Sequence, residues 1–417
     1  MRFLLLNQCF YPDVVSTAQH LTDLAQELSE RGHEVTVLTS DRGYDDPTKR
    51  FPRRESWKGL TILRIPSLSL GKSSKLKRVL SFGSFLVICS FRLVTLHRFD
   101  AVIALTSPPL ISFLGALFVA AKGGRFCFWV MDLNPDEAIA AGWLKEDSLT
   151  ARVLQRMLHF SLRRADRTIV LDRFMKKRIL EKGIDPDRVS VLPPWSHDDA
   201  VKYSVDGREN FRATHNLAEK FVVMYSGNHS PCHPLDTLLN AALDLKTNSE
   251  IAFCFVGGGS EQLKVREFVR CHDLDNVSCL PYQPLEKLSA SLSAADLHVV
   301  VLGEQFTGIV HPCKIYNIMS IGIPMLYIGP AESHIADLGS ELGPEQVVSA
   351  QHGDHSRVSQ LVLYAASLHH GEAGKPQSPA QRFSKHALLP QMLNLIEFTE
   401  TGMAPIEEAV QNSAKAQ

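Results

Sequence analysis

The first 40 residues of the chain are MRFLLLNQCFYPDVVSTAQHLTDLAQELSERGHEVTVLTS. The apolar run at residues 3–7 predicts a buried strand, and EVTVLTS at residues 34–40 predicts a second one. Between them, residues 16–31 space their apolar side chains along one helix face, with Ser16 or Thr17 as the helix cap. The order strand, helix, strand predicts a βαβ unit with parallel strands.

The alternation of strands and helices continues along the chain, and a second series of the same kind then begins. TILRI, AVIALTS, FCFWVMD and RTIVLD are further strand-like runs, so residues 1–200 predict a doubly wound α/β domain. The polar residues 198–216 predict a linker, and FVVMYSG, IAFCFVGGG, LHVVVL and PMLYIG predict a second domain over residues 205–375. We therefore expect an α/β fold of two Rossmann-like, doubly wound parallel-sheet domains facing each other across a cleft. A last helix at about residues 380–400 is expected to pack back on the first domain, and residues 401–417 are expected to form a flexible tail.

Composition and charge exclude several classes of protein. The 417 residues are 45% hydrophobic and 21% charged, which is typical of a soluble globular chain. Lys and Arg total 44 and Asp and Glu 45, whereas proteins that bind nucleic acid through its phosphates usually have a basic excess. The eight cysteines include no C-x-x-C, which favours reduced thiols over zinc or disulfides. The N-terminal apolar run is too short for a secretory signal, and no run reaches the roughly 18 residues of a membrane span.

Ligands of parallel sheets bind at the carboxyl ends of the strands, so the residues that follow the strands are the candidate site. Gly257, Gly258 and Gly259 follow the strand AFCFV, where a glycine-rich turn lets a ligand approach the backbone. A tight turn without a ligand is the alternative. Further on, Pro312 is expected to start a helix with Lys314 in its first turn. A lysine there opposes the helix dipole unless an anion such as phosphate lies beside it, and a solvated surface lysine is the alternative.

The segment YSGNHSPCHP follows the first strand of the second domain. We expect its His229 and His233 near the cleft, where contacts to phosphate or sugar are favoured over plain loop packing. A His-x-x-x-His pair on a helix could bind a metal, but Pro231 and Pro234 argue against a helix here. No metal site is therefore predicted.

On the first domain, MDLNPDE follows the strand FCFWV. Its carboxylates, Asp132 and Asp136 among them, suit general-base chemistry or binding of sugar hydroxyls. A helix N-terminus with acidic residues in its first turn is the alternative. The segment that ends at Ser16 and Thr17 follows the first strand and leads into a helix, which makes it an anion site by position. We assign four residues to the acceptor side of the cleft: Ser16, Thr17, Asn134 and Asp136.

Positive charge is concentrated between residues 42 and 98, where 13 Lys and Arg face three acidic residues. The apolar runs at residues 79–91 and 109–121 lie within or next to this stretch. A basic and apolar surface suits an interfacial contact with anionic lipid. A core helix flanked by a solvated basic loop is the alternative, and the sequence does not decide between them.

Two motifs then point to a family. GGGSE and the string P-x-K-x-Y-x-x-M-x-x-G-x-P at residues 312–324, on two Rossmann-like domains, resemble the retaining GT-B glycosyltransferases of the family-4 type. YSGNHSPCHPLDTLL and DLNPD look like the bacterial branch of exopolysaccharide, colanic-acid and O-antigen biosynthesis. The resemblance covers residues 1 to about 400.

The resemblance implies transfer of a sugar from a nucleoside-diphosphate sugar with retention at the anomeric carbon, without a metal or another cofactor. Lys314 would bind the donor diphosphate, and Gly308, Ile309 and Val310 would present backbone amides to it. Gly257, Gly258 and Gly259 would line the nucleotide pocket. Tyr282 would flank the base.

The chain departs from the family pattern at two places. Many relatives carry a Glu-x7-Glu motif whose second Glu binds the ribose, and here Ile309 and Asn317 stand at the two positions. Asn317 can still hydrogen-bond a hydroxyl, but without charge. Relatives also carry an Arg and a Lys on the diphosphate, in the stretch where this chain has His229 and His233.

From the sequence we expect a hexosyltransferase-type enzyme of cell-surface polysaccharide biosynthesis, acting on a lipid-linked acceptor. It would be cytoplasmic, peripheral at an anionic membrane surface, and would have no nucleic-acid partner. Lys314 and His229 would stabilise the departing diphosphate with His233 beside them, and Asp132 would orient the acceptor. A nucleotide-sugar epimerase and a non-catalytic sugar-nucleotide-binding scaffold are the alternatives.

Overall fold

The computed structural model describes residues 1–43, 46, 48–68, 75–197, 200–368 and 378–397. Over these ranges the chain forms two α/β domains, each built on its own sheet. The predicted fold class is confirmed. The predicted tail at residues 401–417 lies outside the described residues.

The first domain is built on an eight-stranded sheet. Its strands are β1 (Arg2–Leu6), β2 (Glu34–Ser40), β3 (Arg54–Trp57), β4 (Leu60–Ile65), β5 (Ala101–Ala104), β6 (Arg125–Trp129), β7 (Arg167–Val170) and β8 (Val189–Val191). Their order is β3-β4-β2-β1-β5-β6-β7-β8, and all pairs are parallel except β3 with β4. Its helices are α1 (Ser16–Glu30), α2 (Lys75–Thr95), α3 (Ile111–Lys122), α4 (Asp136–Ala140), α5 (Leu149–Arg164) and α6 (Arg173–Glu181).

The βαβ unit predicted from the first 40 residues is present, and β1 pairs with β2 in parallel along its whole length. The predicted cap of α1 is wrong. Val15 precedes the helix, and no side chain accepts a hydrogen bond from its first turn. Ser16 is the first helical residue, and its hydroxyl lies 3.3 Å from Nδ1 of His20, so Ser16 and Thr17 belong to the helix itself.

The second domain begins with a helix in the segment predicted as a linker. α7 covers Val205–Thr214 and is capped by the hydroxyl of Ser204. This helix is polar, so its sequence lacks the apolar stripe that marks most helices. Ion pairs from Arg208 and Arg212 to Asp296, far along the chain, hold it in place.

The sheet of the second domain has six parallel strands in the order β11-β10-β9-β12-β13-β14. These strands are β9 (Phe221–Asn228), β10 (Ile251–Gly258), β11 (Val277–Leu280), β12 (Leu297–Val301), β13 (Met325–Ile328) and β14 (Val347–Ala350). The helices of this domain are α8 (Asp236–Asp244), α9 (Gln262–Cys271), α10 (Leu285–Ser293), α11 (Lys314–Ile321), α12 (His334–Leu342) and α13 (His355–Leu368), and a last helix, α14 (Lys385–Glu397), follows them in the chain.

The chain crosses between the domains twice, and the two crossing segments are hydrogen-bonded to each other. Ser196, on the way to the second domain, donates its backbone N–H to the carbonyl of Phe383, on the way back, at 2.7 Å. The returning helix α14 then packs on the first domain, where Lys385 lies 2.6 Å from a carboxylate oxygen of Asp23. One face of α14 is buried in the core: Leu388, Leu389, Met392, Leu393 and Ile396.

The sequence left open whether two apolar runs lie at a membrane or in the core. α3 is mainly a core helix, packed on the sheet through residues such as Ala116 and Val119. α2 differs, because Phe91 and Val94 are more than 70% exposed while Phe85 on the other face is buried. Among the described helices, none is both long and apolar enough to cross a bilayer.

Candidate active site

Lys314 is a buried cation at the first position of α11. Its ammonium has no solvent exposure and no hydrogen-bond partner among the described residues. It lies 3.7 Å from the centroid of the Tyr225 ring, and Gly227 makes room for it, since a Cβ at Gly227 would be 2.9 Å from Nζ. Burial lowers the pKa of Lys314 to about 7. An unpaired buried ammonium is unfavourable, so this position suits an anionic ligand.

Three histidines lie near enough to this lysine for its charge to act on each of them, and two of the three, His229 and His298, are buried. Burial and then Lys314 lower the pKa of His229 to about 4, while the carbonyls of Gly258 and Gly227 act in the opposite direction. Burial and then Lys314 also lower the pKa of His233 to about 3. The pKa of His298 falls to about 4, again mainly through burial. The two predicted site histidines therefore lie beside the predicted site lysine.

The first two glycines after AFCFV extend the strand, and the predicted turn follows from Gly259. β10 runs through Gly258, and Gly257 lies opposite Gly227 of β9. Only glycine fits here, because a Cβ at Gly257 would be 2.0 Å from the Gly227 carbonyl oxygen and one at Gly259 would be 2.2 Å from that of His229. These glycines therefore allow the backbone of β10 to pack closely against β9 and the residues that follow it.

Tyr282 lies over the same glycines. Its hydroxyl donates to the carbonyl of Gly258 at 3.2 Å, and its ring would touch any side chain added at Gly258. The side chain is about half exposed to solvent. The structure thus brings together the residues assigned to the nucleotide pocket, although their role in binding stays a prediction.

The segment after β12 differs from expectation in its hydrogen bonds. The N–H groups of Ile309 and Val310 both donate to the carbonyl of Phe306, at 2.9 and 3.1 Å. These two amides would have to exchange that acceptor before they could bind a diphosphate as predicted. Gly308 adopts a φ of +70°, and a Cβ there would be 2.6 Å from the carbonyl oxygen of Phe174 in the first domain.

Asn317 is engaged with the connection between the domains. Its side-chain oxygen accepts a hydrogen bond from the backbone N–H of His197 at 3.1 Å. Since α11 also carries Lys314, this contact ties the lysine helix to the first crossing segment. The predicted contact between Asn317 and a ribose hydroxyl would require this hydrogen bond to be shared or replaced.

The first domain contributes a carboxyl pair to the cleft. Burial, and then the charge of Glu137, raise the pKa of Asp132 to about 8. Asn134 donates to Glu137 at 2.8 Å, and the Cys232 thiol of the second domain lies 3.8 Å from the same carboxylate. Asp132 and Asn134 therefore face the loop that carries His229 and His233. An Asp with this pKa can hold a proton near neutral pH.

The other three acceptor-side residues lie in different surroundings. Ser16 lies near enough to the thiol of Cys313 in the second domain, next to Lys314, to act on the pKa of that thiol. Asp136 is instead bound within the first domain, 2.7 Å from the ammonium of Lys182, so that carboxylate already has a partner. Thr17 is half-buried in the first turn of α1.

A buried group at the domain boundary was not predicted. His311 lies 2.8 Å from Asp172 of the first domain through Nδ1 and 2.7 Å from the hydroxyl of Tyr316 through Nε2. Burial alone would raise the pKa of Asp172, but the hydrogen bond with His311 and the charges of His334 and His311 lower it to about 2. Asp172 ends the run RTIVLD, and its place after a strand was the only sequence signal.

The same residues are close enough to resemble a metal site, since ligand atoms of Asp172, His311 and His334 lie within 4.8 Å of one another. However, the two imidazole rings are stacked 3.8 Å apart at 18°. A metal ion lies in the plane of each ring that binds it, so nearly parallel rings do not share one ion. The arrangement suits a buried ion pair between the domains, and the absence of a metal requirement stays a prediction.

Comparisons with known proteins agree with this geometry. Residues 17–195 match the family model described as "Glycosyl transferase 4-like domain". WcaI of Escherichia coli strain K12, by name a colanic acid biosynthesis glycosyl transferase, is 26% identical over 337 residues, which cover 77% of this chain and 82% of WcaI. WbjE of Pseudomonas aeruginosa, by name a glycosyltransferase, is 29% identical over 251 residues, which cover 59% of this chain and 62% of WbjE.

Solved structures of the GT-B fold resemble the whole chain. Sucrose-phosphate synthase from Thermosynechococcus elongatus superposes with a TM-score of 0.71 at 16% identity, over 95% of this chain and 98% of the other. HepE of Anabaena, in complex with UDP-glucose, has a TM-score of 0.69 at 16% identity, over 96% and 100%. Residues 17–195 are thus similar to the glycosyl transferase 4-like domain, and the chain as a whole has the GT-B fold.

Proposed function

We propose that this chain, with its glycosyl transferase 4-like domain on a GT-B fold, transfers a sugar from a nucleoside-diphosphate sugar to an acceptor in cell-surface polysaccharide biosynthesis. The observation that carries the proposal is the buried, unpaired ammonium of Lys314, which lies beside strand ends made of glycine. Such a site suits a diphosphate, whose charge would pair with Lys314. The names of WcaI and WbjE support the reaction, and HepE with UDP-glucose supports the class of donor.

In the proposed complex the nucleotide lies along Gly257–Gly259 under Tyr282, and the diphosphate lies against Lys314 at the start of α11. The helix has no acidic residue in its first turn, so the dipole at its N-terminus also favours an anion there. His229 and His233 lie on the same side. This donor set needs no metal to neutralise the diphosphate.

The proposed reaction breaks the bond between the anomeric carbon and the diphosphate oxygen and forms a bond from an acceptor oxygen to the same carbon. The acceptor proton leaves with the diphosphate. Negative charge develops on the leaving oxygen, so a preorganised cation stabilises the transition state more than the ground state. For retention, the acceptor must approach from the face that the diphosphate leaves, and Asp132 across the cleft is the group proposed to orient it.

A lipid-linked acceptor and a peripheral location at the cytoplasmic membrane face are part of the proposal. α3 packs between α2 and α5, and these three helices carry nine Lys and Arg residues and no Asp or Glu. Their exposed apolar side chains include Phe91, Val94, Leu149 and Val153. Positive charge and exposed apolar groups on neighbouring helices favour an anionic bilayer surface, to which each basic residue adds roughly 1 kcal/mol.

The donor reaction is tested by incubating the protein with a panel of UDP-, GDP- and ADP-sugars, with and without a bacterial lipid extract, and measuring nucleoside diphosphate release. We expect turnover of one donor, faster with lipid, and an NMR spectrum of the product that shows the donor's anomeric configuration. Release of an epimerised free sugar would instead identify an epimerase. Binding without turnover in any mixture would identify a scaffold.

The membrane surface is tested by flotation with anionic and with neutral liposomes. We expect binding to anionic liposomes at low salt and partial release at high salt. Replacing Phe91 and Val94 by Ser should weaken binding, whereas Leu263→Ser, at an equally exposed site on the second domain, should not. The sequence had also pointed to Lys72, Lys75, Lys77 and Arg78, whose side chains lie outside the part described. If the wild type ignores anionic liposomes, the acceptor is not membrane-bound.

A further inference from the structure

The basic side chains of the proposed donor pocket have no acidic side chain paired with them among the described residues. We call Lys314, His229 and His233 the basic cluster. Within the described residues, no Asp or Glu forms an ion pair or a hydrogen bond with any of the three. Most buried cations in proteins are held charged by a carboxylate, and here that partner is missing. Without a bound ligand, the net charge of the cluster therefore depends only on how many protons its three groups bind.

Without an anion, the cluster favours its uncharged state. Burial is the largest cause of the lowered pKa of all three groups, and the charge of Lys314 adds repulsion on both histidines. At neutral pH the two histidines are then neutral, and Lys314, with a pKa of about 7, is protonated in only part of the molecules. A bound dianion reverses this balance, because it stabilises each proton that the cluster accepts.

The hydrogen bond of His233 shows from geometry which ring nitrogen carries a hydrogen. Its Nδ1 lies 2.8 Å from the carbonyl oxygen of Val301, and a carbonyl oxygen only accepts, so Nδ1 carries the hydrogen. Neutral His233 then presents a lone pair at Nε2, which repels a phosphate oxygen. The imidazole must gain a proton at Nε2 before it can donate to phosphate. Nδ1 of His229 is also buried and has no partner among the described residues.

We infer that entry of the donor diphosphate is accompanied by proton uptake from solvent into the basic cluster, so that the donor binds more tightly as the pH falls from 8 to 6. This inference rests on the proposed function, since it assumes a diphosphate at this site. Relatives with an Arg and a Lys at these positions would carry their charge permanently. This chain would acquire its charge together with the ligand.

Other charged groups near the cluster do not cancel the effect. Arg266 acts on His229 in the same direction as Lys314, and Asp296 acts only weakly, through His298. Glu137 reaches the loop through Cys232, on the side of the first domain. Asp132 has a raised pKa, so an anion nearby would add to its protonation as well. Each titrating neighbour therefore takes up protons, rather than releasing them, when a diphosphate arrives.

The test is calorimetric titration of the full chain at pH 7.5 in PIPES, HEPES and Tris, which differ in ionisation enthalpy. The ligand is whichever of UDP-glucose, GDP-mannose and ADP-glucose binds in the donor panel. Both phosphates of these sugars are diesters, so the ligand does not titrate near neutral pH. We expect the observed enthalpy to change with buffer by an amount that corresponds to about one proton taken up, and the affinity to rise three- to tenfold for each pH unit lowered.

Variants of the two histidines test whether the cluster takes up the proton. His229→Gln and His233→Gln keep an amide donor but cannot take up a proton, so each should reduce proton uptake and flatten the pH dependence of the affinity. His272→Gln is the matched control, because His272 is exposed at the end of α9. Equal enthalpies in all three buffers, with clear binding, would overturn the inference and leave the proposed function standing. Absence of binding by all three donors would overturn both.

Discussion

Lys314 destabilises the folded chain in the absence of a ligand. Its pKa is about 7 in the folded protein, against an ordinary value of 10.5, because the buried site disfavours the ammonium. The unfolded chain therefore binds this proton more strongly, and folding stability falls as the pH drops from 10.5 towards 7. A residue that costs stability without a local structural benefit is typical of a functional site.

Replacing this lysine should therefore have opposite effects on stability and on function. We predict that Lys314→Met raises the free energy of unfolding at pH 7.5 by about 2–4 kcal/mol. The gain should shrink towards pH 10, because the pH there approaches the ordinary lysine pKa of 10.5 and the unfolded state gains less from holding this proton. Urea unfolding at the two pH values measures this difference. A destabilised variant at pH 7.5 would show that Lys314 has a favourable partner in the native protein.

At the scale of single elements, the βαβ unit was predictable because its apolar residues follow the periods of strand and helix. α7 was not predictable in this way. Its anchors are Arg208 and Arg212, and their partner Asp296 lies more than 80 residues away, so no local pattern reveals them. The glycines at Gly257–Gly259 were recognised, but the continuation of β10 through them depends on pairing with β9.

The candidate site also combines features that the sequence predicts with features that only the folded structure shows. The position of Lys314 at the start of a helix follows from the sequence and the resemblance. The lack of a partner for its ammonium follows only from the packing around it. The pair formed by Asp172 and His311 joins two domains, so neither residue carries a signal by itself.

The segment around Gly308 is one of the places where the two domains are in close contact. We predict that Gly308→Ala separates them, because its Cβ would be 2.6 Å from the Phe174 carbonyl and the φ of +70° disfavours a side chain. Small-angle scattering should show a larger radius of gyration than that of the wild type. Gly343→Ala is the control, since Gly343 has a similar φ of +83° with no atom within 4 Å of the added Cβ. Equal scattering of both variants would contradict the role given to this contact.

At the scale of the whole molecule, burial of neutral histidines makes the fold sensitive to acid. The pKa is lowered, mainly by burial, at six positions: His20, His197, His229, His233, His298 and His334. In the unfolded chain each titrates near 6.5, so the unfolded state binds more protons between about pH 6.5 and pH 4. The folded protein therefore loses stability as the pH falls through that window.

We predict a loss of about 4 kcal/mol in the free energy of unfolding between pH 6 and pH 5, if three of the six histidines contribute fully. Asp172 adds nothing in that range, because its pKa is lowered to about 2 and its contribution is lost only below about pH 4. Urea midpoints measured at pH 7.5, 6 and 5 provide the test. Equal midpoints at pH 7.5 and 5 would mean that these histidines are protonated in the native protein.

The central claim is that Lys314 neutralises the donor diphosphate in a glycosyltransferase that needs no metal. The most direct measurement is nucleoside diphosphate release from the preferred donor, with lipid acceptor and excess EDTA, by the wild type and by Lys314→Met. We predict that EDTA leaves the wild type largely unchanged and that the variant, although folded, is slower by at least about 100-fold. Near-native release by Lys314→Met, or complete loss of wild-type release in EDTA that magnesium restores, would contradict the claim.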